Sequence, residues 1–243
     1  MREHAIVVPG DELAQGMDFL PAQGAYRDGD KIVATRLGLV HYDNRLVKII
    51  PLSGRYSPKK GDTIIGKVID VTVNGWRIET NSAYSAMLSL KDGTSDFVER
   101  GSDLTKYYDI GDWVVTTIIN VTTQKLIDLS MKGPGLRKLE AGRIFKVSPM
   151  KVPRIIGKQG SMVKMIRDAT GCKILVGQNG IIWLKGEDPA MEIKAVETIK
   201  KIEAEAHKSG LTDDIEKYLV SQGLNASHVA TEPENGNFND NSE

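Results

Sequence analysis

The residues best placed to do chemistry lie between Lys151 and Lys164. Gly157-Lys158-Gln159-Gly160 stands between a short run ending in Ile155-Ile156 and a helix-like stretch that starts at Ser161 and stops at Gly171. A helix beginning at Gly160 or Ser161 aims unsatisfied backbone N–H groups, and the positive end of its dipole, at whatever lies before it. The two glycines remove side chains that would hold a sugar-phosphate backbone away from the main chain. Lys158 places a cation at the loop tip beside Gln159, and Lys151, Arg154 and Lys164 add charge to neutralise phosphates. Ile155, Ile156 and Val163 offer an apolar wall for unstacked bases, which makes the segment a candidate groove for single-stranded nucleic acid.

Charge patterning agrees. The chain of 243 residues has a formal net charge of zero, yet residues 143–176 carry eight Lys and Arg against Asp168 alone, a net of +7. Residues 187–243 carry thirteen acids and five Lys, a net of −8. Dense local basicity is the footprint of a phosphate-backbone binder, although a solvated basic face balanced by an acidic helix fits the charges equally well.

Catalytic chemistry finds less support. His4, His41, His207 and His228 fall in separate segments without carboxylates or cysteines at ligand-like spacing, so no metal, cofactor or catalytic site is expected. Cys172 is the single cysteine, which excludes an intrachain disulfide and suits a small buried hydrophobe in a reducing compartment. The phosphate-loop signature is absent. No apolar run approaches the ~18–20 residues of a membrane span, and no signal-peptide core follows Met1, so a cytoplasmic protein is expected.

The elements that must position the loop divide the chain into a multidomain protein. Residues 1–58 hold three short β-runs, at Ala5–Val8, Lys31–Thr35 and Leu46–Ile50, too few for a large core, and read as an all-β N-terminal domain leaning on a neighbour. Residues 59–132 predict five strands: Thr63–Val71, with Gly66 marking a bend or bulge; Trp76–Glu79 after the Asn74-Gly75 turn; one near Ala86–Leu88; Trp113–Val121; and Lys125–Ser130. A long excursion separates the third from the fourth, the layout of a five-stranded OB-fold barrel, and the Tyr107-Tyr108 pair is read as closing it. Gly133-Pro134-Gly135 opens a linker over 133–141. Residues 142–224 then run strand, helix, helix, strand, strand, helix, with Ser161 as the cap of the second helix and a further short helix near Thr212–Ser221, a compact α+β domain. Residues 225–243 read as a disordered polar tail.

The run Ile155-Ile156-Gly157-Lys158-Gln159-Gly160, followed by Val163, Ile166, Thr170-Gly171-Cys172-Lys173-Ile174 and Gly180-Ile181-Ile182-Trp183-Leu184-Lys185-Gly186, resembles the KH domain of type I topology. Gly66-Lys67-Val68, Asn74-Gly75-Trp76, Gly111-Asp112 and Leu129-Ser130 match the spacing of the S1-type OB-fold of ribosomal proteins. That family's surface aromatics and its histidine are missing. Trp76 and Tyr84 are the nearest substitutes, with Trp76 as apt for the core as for stacking and Arg77 beside it.

The complete order, from Val7-Val8-Pro9-Gly10-Asp11 through barrel and KH module, is similar to the RNA-binding cap subunits of the archaeal exosome. That resemblance implies a subunit without catalysis that captures single-stranded, adenine-rich RNA 3′ ends. It further implies three copies on a hexameric ring of phosphorolytic RNase PH-like subunits, the N-terminal domain gripping the ring and the barrels around the RNA entrance. Two other readings stand beside it: an assembly scaffold that locks the ring with a silent KH domain, and a free-standing RNA-binding regulator.

Overall fold

A computed structural model describes residues 5–224 apart from 95, 97, 100 and 209. The N-terminal domain contains seven short strands, β1 (Ile6–Val7), β2 (Glu12–Gln15), β3 (Leu20–Pro21), β4 (Ala25–Asp28), β5 (Lys31–Ala34), β6 (Gly38–Asp43) and β7 (Leu46–Pro51). They form two sheets, ordered β1-β6-β7-β3 and β2-β5-β4, around Leu13, Ile32, Val40, Val47 and Ile49. Three of the seven are visible from composition. The others are two to six residues long, and β4 alternates half-buried with exposed side chains, so none makes a continuous apolar run.

The second domain is a closed barrel. Strands β8 (Thr63–Thr72), β9 (Gly75–Glu79), β10 (Ser85–Ser89), β11 (Trp113–Val121) and β12 (Ile127–Ser130) run β12-β10-β9-β8-β11, and β12 also pairs with β11, which leaves no open edge within the five. A single helical turn, α1 (Leu90–Gly93), is capped by Ser89 Oγ, which accepts from Asp92 N. The irregularity in β8 lies between Val68 and Asp70 rather than at Gly66. Gly66 is small for another reason: a Cβ there would stand 2.3 Å from Ile78 Cγ2. Tyr107 and Tyr108 meet Trp76 edge-on with centroids 6.4 and 5.0 Å away, so the pair packs the barrel as expected.

The stretch expected as a linker is built into the barrel. Within it β13 (Arg137–Lys138) pairs with Val114-Val115 of β11, and Lys138 Nζ bonds the Asp112 carboxylate. Leu139 is buried with Ile65, Val115, Ile181 and Trp183 in a cluster shared with the next domain. That domain follows the type I KH order: β14 (Arg143–Lys146), α2 (Val152–Ile156), α3 (Ser161–Thr170), β15 (Lys173–Val176), β16 (Ile181–Lys185) and α4 (Pro189–Glu205), with α5 (Leu211–Ser221) behind. Its antiparallel sheet is ordered β14-β16-β15; Ile166 of α3 and Ile199 and Ile202 of α4 share a core with its Ile174, Ile182 and Leu184, and α5 adds Ile215 from its place against α3 and α4. The polar tail expected from residue 225 lies outside the described residues.

Candidate nucleic-acid interface

The loop at the head of α3 has a backbone that only glycine adopts freely at two points. Gly157 lies at φ 76°, ψ 176°, a region essentially confined to glycine, and a Cβ there would stand 2.8 Å from Met162 N and Cβ. Gly160 is left-handed at φ 80°, ψ 9°, and open space surrounds it where a Cβ would point. The two glycines thus do different work: the first lets the chain fold back over α3, and the second leaves a gap in front of the helix. Between them Lys158 and Gln159 are exposed, with Gln159 also left-handed at φ 52°.

Ser161, expected as the cap, is the first helical residue. Gly160 takes the cap position, and no side chain accepts a hydrogen bond from the first turn of α3. The Ser161 N–H bonds back to the Lys158 carbonyl, and the first-turn donors beyond it have no side-chain partner at an end where no carboxylate precedes the helix.

The basic residues sort by their engagements. Lys151 Nζ donates to the Glu203 carbonyl at 2.8 Å, so this side chain ties α2 to α4 rather than standing free for phosphate as expected. Arg143 lies 3.5 Å from Glu192, and an Arg167 guanidinium N–H donates to the Ile174 carbonyl at 3.4 Å. Arg154, Lys158 and Lys164 are exposed, and among the described residues none of them forms an ion pair.

The apolar wall needs correction. Ile155 is 0% and Val163 8% exposed, both inside the core under the loop, because the side of α2 and α3 that carries them faces the sheet. They hold the loop from below, and Ile156, half-buried at the edge of that core, is the apolar side chain left beside it.

Trp76 is likewise buried, at 0% exposure, with its indole N–H donated to the Tyr108 carbonyl at 2.9 Å, so no base can reach its ring. Alternation along β9 turns its neighbour Arg77 outward, where its guanidinium lies 4.0 Å from the Asp70 carboxylate. Tyr84, on the loop between β9 and β10, is 46% exposed and is the accessible aromatic of the two substitutes.

Sequence reasoning missed the joint that sets KH domain against barrel. In the turn Gly177–Gly180, Asn179 is fully buried; its amide donates to the Ile65 carbonyl at 2.7 Å and the Thr80 carbonyl at 2.9 Å. Asn81 Nδ2 returns a bond to the Asn179 carbonyl at 2.8 Å, and Gln178 exchanges bonds with the Thr63 backbone at 3.0 Å each way. A Cβ on Gly177 would lie 2.4 Å from Asn179 Oδ1. In sequence the turn reads as an ordinary hairpin connection. Asn81, which meets the turn from the barrel, is a non-glycine residue held at φ 57°, a conformation that shows only in the fold.

Among the described residues no three His, Cys, Asp or Glu side chains converge as metal ligands, and no helix is long and apolar enough to cross a membrane.

Comparison with known proteins agrees with the architecture. Residues 142–190 match the KH domain, residues 55–100 the S1 domain of RRP4, and residues 4–53 the N-terminal domain of the exosome RNA-binding protein RRP4. The exosome complex component Rrp4 of Methanothermus fervidus is 41% identical over 221 residues, covering 90% of this chain and 97% of that protein. The same component from Pyrococcus furiosus is 39% identical over 225 residues, covering 91% and 85%. A crystal structure provisionally described as an exosome complex RNA-binding protein superimposes with a TM-score of 0.63 at 34% identity, over 70% of this chain and 98% of that one. With its N-terminal β-domain, S1 barrel and KH domain in this order, the chain belongs to the Rrp4 family of exosome complex components.

Proposed function

We propose that this protein is a non-catalytic cap subunit that captures single-stranded, adenine-rich RNA at its 3′ end and passes it to a phosphorolytic ring of RNase PH-like subunits. The observation that carries the reading is the Gly157–Gly160 loop: a helix end without a side-chain cap, a gap at Gly160, and three exposed cations that form no ion pair among the described residues. Arg154, Lys158 and Lys164 neutralise phosphates there, the Gly160 gap admits the backbone, and Ile156 and Gln159 flank the bases. In this reading residues 1–58 dock on the ring, 59–132 form the RNA-facing barrel, and 142–224 form the KH domain. Exposed Ile6, Met17, Leu20, Ile50 and Leu52 give the N-terminal domain apolar surface for such docking, three copies to a hexameric ring.

Titrating a labelled oligoadenylate at several salt concentrations tests the charges. Each neutralised phosphate contributes about 0.7 to the slope of log affinity against log salt for a single strand, so replacing Arg154, Lys158 and Lys164 by Ala flattens it by about two. An unchanged slope refutes the assignment. One observation favours the scaffold reading instead: the Asn179 joint gives the KH domain an architectural part. A loop substitution that leaves RNA affinity intact would select it.

A further inference from the structure

A second feature lies where the three domains meet. Residues 53–59, which connect the N-terminal domain to the barrel, run beside the loop between β9 and β10, and Tyr56 forms an isolated parallel bridge with Ser82. Together with the loop between β11 and β12 and the turn that leads into α2, they enclose a cleft of about 780 Å³. That volume is within the ~300–1,000 Å³ usual for ligand sites.

The lining of this cleft is basic and carries one accessible ring. Arg36, Arg55, Lys59 and Lys125 all border it, all are exposed, and among the described residues none makes an ion pair. The acid at the site, Asp62, is already engaged, accepting a hydrogen bond from the Tyr56 hydroxyl at 2.5 Å. Tyr84 borders the cleft with its ring in solvent while its backbone is fixed: Thr80 Oγ1 and Ser82 Oγ both donate to the Tyr84 carbonyl at 2.8 Å, and Tyr84 N donates to Ser82 Oγ at 3.1 Å. The same loop is anchored to the KH turn through Asn81, so the ring is set by the joint between the domains. An aromatic on a fixed backbone, among cations that form no ion pair within the described residues, is the composition of a site that stacks a base and holds the phosphates beside it.

We infer that this three-domain cleft is a second RNA subsite, with Tyr84 stacking a base and Arg36, Arg55, Lys59 and Lys125 taking the flanking phosphates. It rests on the RNA-capture reading above and extends it. Pro149 and Pro153, which line the cleft, belong to the turn and helix that lead directly to Gly157, so one strand can occupy both places. The subsite accounts for an S1 barrel whose strand Trp76 is sealed in the core: stacking has moved from the barrel face to the junction.

The test uses the full-length protein and fluorescence anisotropy with two labelled oligoadenylates, one of about four nucleotides, the span of a single KH groove, and one of about fifteen. Tyr84→Ala weakens the longer probe roughly tenfold, the share of one stacked base, leaves the shorter one unchanged, and Tyr84→Phe restores binding. The double substitution Arg55→Glu, Lys125→Glu gives the same length-selective loss. Unchanged affinity of the longer probe in these variants, while Gly160→Asp still abolishes binding, overturns the subsite and spares the KH reading. A loss equal for both probes also overturns it, since the cleft would then not be separate. If Gly160→Asp is as silent as Tyr84→Ala, RNA capture at both the loop and the cleft is refuted.

Discussion

Replacing Asn179 by Ala removes two donated hydrogen bonds, to the Ile65 and Thr80 carbonyls, from a site with no solvent exposure. A buried acceptor left without its donor costs about 1–3 kcal/mol. Pairing of β8 with β9 begins only at Lys67, and at Ile65 the Asn179 amide stands in for the missing strand, so both carbonyls bear the full range. The weak bond that Asn179 Oδ1 accepts from Ile65 N at 3.4 Å adds little. The total is about 2–6 kcal/mol, or at least about 4 °C in melting temperature for a chain of this size.

Thermal unfolding followed by calorimetry reads the loss. A second variant sharpens it: Gly177→Ala drives a methyl into Asn179 Oδ1, disturbing the same amide from the other side. The combined loss should therefore fall short of the sum of the two, the mark of a shared interaction. A melting point for Asn179→Ala within about 1 °C of the parent, roughly a quarter to a half of a kcal/mol, would refute the claim that this amide locks the KH domain to the barrel. So would strict additivity.

Three further outcomes follow from the geometry. Trp76→Leu, which empties part of the barrel core, destabilises the fold by about 2–4 kcal/mol, yet the folded fraction binds oligoadenylate as the parent does; weaker binding by fully folded protein would contradict its placement in the core. At Asp112 burial pushes the carboxyl up, but the Lys138 hydrogen bond, the Asp109 backbone N–H and the Lys138 charge together outweigh it and hold the pKa below its ordinary value. Its contribution is thus present above about pH 4 and lost as pH falls through the lowered pKa, so Asp112→Asn flattens the acid limb of a stability–pH profile measured by urea unfolding. Burial raises the Cys172 thiol above its ordinary pKa, and the native protein should react with a thiol reagent only as fast as it opens; rapid labelling at neutral pH counts against this.

How far the sequence speaks depends on the length of the signal. The KH helices are legible because Met162, Val163, Met165 and Ile166 recur on one face and Gly171 ends the turn in a left-handed conformation. Four N-terminal strands are not, since two to six residues cannot show a period against the pairing that creates them. In the candidate site the glycines and cations were readable from type and spacing. Which apolar side chains face outward was not: Ile155 and Ile156 are adjacent and chemically identical, and only the packing of α2 on the core separates the buried one from the other. Lys151 also looked free until α4, some fifty residues on, brought the Glu203 carbonyl to it.

The most direct test of RNA capture by the Gly157–Gly160 loop compares two substitutions at one position. Gly160 is left-handed, which Asn and Asp both tolerate better than other side chains, and the space in front of it is open. Gly160→Asn and Gly160→Asp therefore bring similar backbone strain and bulk, and differ in charge. With labelled oligoadenylate at low and moderate salt, Gly160→Asp should lose at least tenfold more affinity than Gly160→Asn, with the gap narrowing as salt rises. Equal affinities for the two variants, both at the parent value, would contradict the account and leave the loop without a part in holding RNA.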